Sequence, residues 1–327
     1  MTGYVLRRLA GAALLVLALL TAVFFLVRLA PGDPAELHLD PDLGDAQRAQ
    51  VRARLGLDAP LHVQYLRWLD GVLLHGDLGR SLQYHRPVTG LLGEAIPNTL
   101  LLTVSAYVVH LALALLSGVW MARRRGTRAE RAATVGALTL YSLPAFWLGL
   151  MLILVFSRAL GWLPAGGLHA PDAALMSWPA RLWDTVRHLV LPVVVLGVAS
   201  AAGTARYLRS SLVDVLASDY ILAARARGLS ERAVVCRHAV RNAPLPAVTL
   251  AGLNPPFLLG GAVVTETVFA WPGMGRLAVD AIYARDYPLI MGATALSAVM
   301  VVLGNLLADL AYGWVDPRIR LGGRGRS

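Results

Sequence analysis

Residues 219–241 read DYILAARARGLSERAVVCRHAVR, an arginine-rich stretch between two apolar runs at about 189–205 and 247–268. Runs of this length suit a helix that must cross roughly 30 Å of hydrocarbon. A polar, helically patterned segment held between two such runs reads as a docking element on a membrane protein. Outward from it, further apolar runs fall at about 9–29, 99–121, 133–157 and 288–312. The chain is 57% hydrophobic and 15% charged, outside the range of soluble globular domains. No alternating ten-residue segments suggest a barrel. The expected fold is all-α, a polytopic membrane protein with six transmembrane helices.

Six spans place both termini on one side, and arginine decides which. Outside the spans, that side holds 18 arginines against 5 acids; the other holds 11 against 14, with Glu266 counted there. The positive-inside rule then puts the termini in the cytoplasm. The net charge of +10 is thus topological, with some attraction to anionic membrane lipid. It calls for no nucleic acid.

All thirty basic residues are arginine. Without lysine the chain cannot carry a GxxxxGK[ST] phosphate loop or a Schiff-base centre, so any ATP is bound by another subunit. The single cysteine, Cys236, permits no intramolecular disulfide. Arg7 and Arg8 precede an apolar run longer than a typical signal-peptide core, and processing after Ala30 would leave Pro31 first. A retained first span is expected.

The segment 31–98 has helical punctuation of its own. A periodic stretch at 45–55 stops at Gly56, and Pro60 fits a first helical position of a run that ends at Gly76. The expected organisation is a tail and first helix over 1–30, an external helical subdomain over 31–98, a five-helix core over 99–315 with a cytoplasmic loop at 206–243, and a tail at 316–327. Trp162, Trp178 and Trp183 suit the headgroup level. Pro144, Pro192, the pair Pro255 and Pro256, and Gly260 with Gly261 interrupt the third to fifth spans. Such breaks mark either a pathway or ordinary kinking.

Within 219–241, Ser218 or Asp219 can cap a first helix, Gly228 can end it left-handed, and Ser230 can cap a second. Tyr220, Ala224 and Gly228 recur every fourth residue, a narrow stripe that a partner backbone could approach. Arg225 and Arg227 leave the other face charged. An arginine-rich surface helix serving topology alone fits the spacing equally well.

Leu222-Ala223-Ala224, Gly228 and His238-Ala239-Val240 resemble the EAA loop of ATP-binding-cassette importer permeases, E-A-A-x3-G-x9-I-x-L-P, with Leu222, His238 and Arg241 in place of its glutamate, isoleucine and proline. The form is similar to the dipeptide, oligopeptide and nickel subfamily. So are YVLRRL at 4–9, LAPGDPA at 29–35, GDLGRS at 76–81, IPNTLLLT at 96–103, ETVFAWPGMGRL at 266–277, ARDYPL at 284–289 and DPRIR at 316–320. Together they resemble that subfamily's first permease from end to end. The resemblance implies a type I importer fold in a bacterial inner membrane, a second permease, two cytosolic ATPase subunits that bind ATP and magnesium, and an external solute-binding protein. No cofactor is implied in this chain. The implied ATPase-coupling residues are Asp219, Tyr220, Ala223, Ala224, Arg227, Gly228, Leu229 and His238. The implied external-gate residues are Glu266, Trp271, Pro272, Gly273 and Gly275. Trp271 could equally anchor an interfacial loop, and Glu266 could face the pathway or cap a helix. Peptides lead as substrate, with nickel complexes and oligosaccharides also handled by similar permeases.

Two rival classes make demands of their own. An ion-coupled secondary transporter needs buried ionisable groups, and His110 and Asp309 are the clear intramembrane candidates, each better suited to interhelical hydrogen bonding. An intramembrane enzyme needs a constellation that the chain lacks: none of the eight histidines forms HExxH, and no spacing suits a metal.

Overall fold

The computed structural model describes residues 2–29, 58–234 and 262–315, the side chains of 2–5, 232 and 307–315 excepted. Every regular element among them is helical: α1 (Thr2–Leu29), α2 (Leu61–Asp70, continued by a π turn Gly71–His75), α3 (Val88–Arg123), α4 (Arg128–Ser142), α5 (Ala145–Leu152, continued by a π segment Ile153–Ala159), α6 (Trp178–Leu216), α7 (Asp219–Ala226), α8 (Glu231–Ala233), α9 (Val263–Val268), α10 (Met274–Tyr283) and α11 (Tyr287–Val315).

Among the described residues four helices are long and apolar enough to cross a membrane: Leu6–Leu29, Val88–Arg123, Trp178–Leu216 and Tyr287–Leu306. Helices α4 and α5 make a fifth if taken as one span bent by 100°. The cause of the bend is local. The helical region is disfavoured for a residue before proline, and Leu143 is extended at ψ 134° ahead of Pro144, the N-cap of α5. Pro192, by contrast, lies inside an unbroken α6. The expected span at 247–268 falls mostly outside the described residues, as do the pair Pro255 and Pro256 and the glycines 260 and 261; its described end is the short α9. In place of the expected 99–121 and 189–205, the helices run over 36 and 39 residues, about 54 and 58 Å, and so project beyond the hydrocarbon.

The central feature is the pair α3 and α6. Small residues line their crossing: Ala106, Ala114, Gly118 and Ala122 on one, Gly197, Ala201 and Ala205 on the other. A Cβ at Gly197 would stand 2.9 Å from the Ala106 carbonyl oxygen, and one at Gly118 would stand 3.0 Å from that of Ala205. Backbones this close are how helices associate in lipid, where no hydrophobic effect drives them together. His110 Nε2 and Thr204 Oγ1, 3.2 Å apart, tie the pair at mid-height. The side chain of the other intramembrane candidate, Asp309, lies outside the described residues.

At one end α1 packs on α2, where Phe24 meets Tyr65 and Trp68 and Thr21 bonds the Tyr65 hydroxyl at 2.7 Å. Gly76, at φ 62°, closes the π turn that ends this arm, while Pro60 sits one place before the helix. Trp162, Trp178 and Trp183 are exposed at the same end. The other end carries Arg123, Arg124, Arg125, α7 and α8; we call it the arginine-rich end.

Candidate functional site

At the arginine-rich end, α6 passes through Ala217 and Ser218 directly into α7. Ser218 takes the N-cap position with ψ 151°, but its hydroxyl turns back to the Val215 carbonyl at 2.5 Å. Gly228 ends α7 at φ 78°, the left-handed conformation that glycine adopts without a Cβ penalty. Ser230 then accepts the Ala233 N–H at 3.3 Å and caps α8. Across the corner Arg225 donates from Nη2 to Glu231 Oε1 at 2.8 Å and from Nε to Oε2 at 3.2 Å. This two-point pair fixes the angle between the helices. Its hydrogen bonds hold the Glu231 carboxyl below the usual range and the Arg225 guanidinium above its own.

Ile221 and Ala224 are buried with Leu208 and Leu212 of α6, Ala122 of α3 and Val234. Ala224 therefore does not share an open stripe with Tyr220 and Gly228, because it is spent on holding α7 to the bundle. Asp219, Tyr220, Leu222, Ala223, Arg227, Gly228 and Leu229 are exposed. A Cβ on Gly228 meets nothing within 4 Å. His238 lies outside the described residues.

At the opposite end, residues 266–277 run from the end of α9 through a tight turn at 269–273 into α10, and this segment is far more enclosed than a surface loop. Glu266 is completely buried. Its Oε1 accepts the Thr99 hydroxyl at 2.8 Å and its Oε2 accepts the Arg276 N–H at 3.0 Å, while Thr99 Oγ1 in turn accepts the Met274 N–H at 2.8 Å. Met274 and Arg276 are the first and third residues of α10. The carboxylate thus caps a helix N-terminus from a distance, where both the free N–H groups and the dipole favour a negative charge. Of the two roles left open for Glu266, the structure shows the helix cap.

The glycines of the turn are there for this carboxylate. A Cβ on Gly273 would fall 2.4 Å from Glu266 Cδ, and one on Gly275 would fall 2.9 Å from its Oε2 and 2.8 Å from the Val263 Cα. Trp271 is also fully buried and donates from Nε1 to the Asn98 carbonyl at 2.9 Å; Asn98 Nδ2 returns a bond to the Pro272 carbonyl at 2.9 Å. Trp271 therefore does not anchor an interfacial loop. Phe269 is buried against Leu191 and Val195 of α6, and its carbonyl accepts the Gly167 N–H at 2.8 Å.

Three polar links at this end escaped the sequence reading. Asp286, completely buried, accepts the Ser81 hydroxyl at 2.5 Å, the Gln83 N–H at 3.1 Å and the Leu289 N–H at 3.2 Å. It joins the stretches GDLGRS and ARDYPL and caps α11. Asp184 accepts the Ala170 N–H at 2.9 Å and lies 3.3 Å from His188 Nδ1. Arg86 pairs with Glu94 beside a cavity of 420 Å³ that Asn98, Pro272 and Arg276 also line. At the arginine-rich end, buried Glu130 pairs with Arg209 at 2.6 Å. A carboxylate in a polar stretch was the only sequence signal for each. Among the described residues no group of three or more histidine, cysteine or acidic side chains could hold a metal.

Comparison with known proteins agrees with this architecture. Residues 114–321 match the family "Binding-protein-dependent transport system inner membrane component", and residues 1–103 match "Binding-prot-dependent transport system membrane comp, N-term". The chain is 42% identical over 320 residues to the oligopeptide transport system permease protein AppB of Bacillus subtilis, covering 98% of this chain and 99% of that one. It is also 42% identical over 320 residues to the glutathione transport system permease protein GsiC of Salmonella paratyphi A, with the same coverage. With the di/tripeptide transport system permease protein DppB of Pseudomonas aeruginosa it shares 42% over 311 residues, 91% of this chain and 92% of that one.

Proposed function

The chain belongs to the binding-protein-dependent transport system inner membrane components, and from that premise we propose that it forms one half of a peptide pathway driven through the 219–241 corner. It is a permease subunit of an ATP-binding-cassette importer, and partner ATPases bind the nucleotide. Di- or oligopeptides are the proposed substrates, supported by relatives named for oligopeptide, di/tripeptide and glutathione transport. The proposed assembly adds a second, similar permease, two cytosolic ATPase subunits and an external solute-binding protein. Six spans with both termini cytoplasmic make the arginine-rich end cytosolic, as the 18 arginines counted there favour.

One observation carries the mechanism: the same two helices hold both candidate sites. At the cytosolic end α3 and α6 grip Ile221 and Ala224 of α7. At the external end α3 supplies Leu102 and Ala106, and α6 supplies Val193, to the cluster around Trp271. A push on α7 reaches the 266–277 turn through a closely packed rod, with no flexible connector between. Closure of the ATPase dimer would move α7 and α8 as one piece, since Arg225 and Glu231 brace the corner, and rock the bundle between inward-facing and outward-facing states. The exposed Asp219, Tyr220, Ala223, Arg227, Gly228 and Leu229 are the proposed ATPase contacts; Ala224 transmits from within, and His238 completes the set from sequence alone. The turn holding Glu266, Trp271, Pro272, Gly273 and Gly275 is the proposed external gate element.

The test is Gly228→Trp. Space beside Gly228 is open within this chain, and the strain of any side chain at φ 78° falls on the corner alone, so the variant should insert and assemble its spans but fail to bind the ATPase subunits or to transport, while Gly228→Ala, which carries the same strain without the bulk, should keep more of both. Normal uptake by this variant would remove the coupling assignment.

A further inference from the structure

Between α4 and α6, at the arginine-rich end, lies a cavity of 930 Å³ whose wall includes Arg125, Glu130, Arg131, Arg206 and Arg209. Glu130 is already answered by Arg209 at 2.6 Å and by the Gly126 N–H at 2.9 Å. Arg125, Arg131 and Arg206 are exposed and make no ion pair among the described residues. The recess thus carries four arginines against the one carboxylate of Glu130, a surplus of three positive charges.

Beside the charges, the wall holds Thr134, Ser210 and two larger side chains that open toward the apolar face of α4. Val135 on α4 and Tyr207 on α6 line the cavity and are 66% and 46% exposed. Leu138 and Tyr141 follow Val135 at steps of three along α4, exposed by 45% and 65%. Gly203 on α6 faces the Tyr141 ring, which a Cβ there would meet at 3.5 Å, an ordinary contact distance. A basic recess therefore continues into an apolar strip that runs along α4 toward the Leu143–Pro144 break.

We propose that this cavity binds the phosphate headgroup of an anionic phospholipid of the adjoining leaflet, with an acyl chain along Val135, Leu138 and Tyr141. Charge selects the headgroup and the strip selects a lipid over a free anion, which would gain nothing from it. Basic recesses between membrane helices at the interface suit such headgroups. The inference rests on the membrane placement of α4 and is independent of the transported solute.

The experiment uses the whole complex, purified in mild detergent after reconstitution in phosphatidylcholine doped with phosphatidylglycerol, and reads retained lipid by native mass spectrometry. The wild type should retain phosphatidylglycerol over phosphatidylcholine. Arg131→Gln with Arg206→Gln should lose that preference by about thirtyfold, at about fivefold per arginine. Arg124→Gln with Arg128→Gln, an equal charge loss outside the cavity, should keep it, and a photoreactive group at Tyr141 should capture lipid. Equal loss in both double variants would overturn the site in favour of diffuse surface charge. So would absence of preference in the wild type, displacement by inorganic phosphate alone, or capture of the second permease by the group at Tyr141.

Discussion

Replacing Glu266 separates a structural carboxylate from one that handles solute. Its side chain is completely buried and accepts two hydrogen bonds, from the Thr99 hydroxyl and the Arg276 N–H. Bonds to an ionised group contribute about 1.5–3 kcal/mol each. Taking the carboxylate away leaves the Thr99 hydroxyl and the Arg276 N–H without an acceptor, at about 1–3 kcal/mol each, less the recovered cost of burying the acid, so Glu266→Ala should cost about 2–5 kcal/mol. Glu266→Gln keeps one acceptor oxygen but sets an amide NH₂ against a donor, for about 1–3 kcal/mol. Thermal unfolding of the purified complex should show midpoints falling on the order of 10 °C for the alanine variant and less for glutamine. Gly273→Ala reaches the same end from the other side, because its Cβ would occupy the place of Glu266 Cδ, 2.4 Å away. The double variant Glu266→Ala with Gly273→Ala should then cost less than the sum of the two, since each disrupts the same contact. Wild-type stability in Glu266→Ala together with lost transport would refute this reasoning and place the carboxylate in the pathway.

Two further outcomes follow from other polar links. Ser81→Ala removes the only hydroxyl on the buried Asp286 among its described partners and should destabilise the complex by about 1.5–3 kcal/mol, read as a lower unfolding midpoint, while a fully restored midpoint in Ser81→Thr would mark the bond as the cause. The Arg225 pair holds the Glu231 carboxyl below its usual range, so the order it confers is complete above the ordinary carboxylate pKa and is lost as pH falls through the depressed one. A spin label at Ala226→Cys, in a Cys236→Ser background, should sharpen across that acid window and be mobile at every pH in Glu231→Gln; a pH-independent spectrum in the parent would count against the brace.

The helical fold was legible because crossing hydrocarbon demands apolar runs of a set length, and α1, α3, α6 and α11 carry them. Their ends were not. Hydropathy sees the part of a helix inside the bilayer, whereas α3 already begins at Val88 and α6 at Trp178, with Glu94 and Asp184 in the parts that project. Pro144 was readable as a break because proline acts on its immediate neighbour. The 219–241 corner was readable for the same reason, with Gly228 and Ser230 acting locally. Which face of α7 is buried was hidden, since that depends on Leu208 and Leu212 of another helix. The role of Glu266 was hidden as well: Thr99 is 167 residues away, and Ser81 is 205 residues from Asp286. Long-range carboxylate caps leave a motif in the sequence but no indication of their partner.

The bonds around the 266–277 turn also bear on where the proposed pathway can open. A rod the length of α6, about 58 Å, moves its tip by about 5 Å for a tilt of about 5°. Displacement on that scale would break the 2.9 Å bond from Trp271 to the Asn98 carbonyl and the 2.8 Å bonds at Thr99 if the 266–277 turn stayed behind while α3 moved. The two buried bonds at Thr99 share one hydroxyl and so break together, and each group left without a partner in the interior costs about 1–3 kcal/mol. The turn should therefore travel with α3, and the seam that opens should lie between this chain and its partner permease. Spin labels at Leu101→Cys on α3 and Ile282→Cys on α10, in a Cys236→Ser background, are both at exposed positions. Their separation should be the same in nucleotide-free and ATP-trapped complexes, while the distance from either label to the second permease changes. A change of several ångströms within the chain would show that α10 swings away from α3, and the bonds to Asn98 and Thr99 would then be a latch that opens in each cycle.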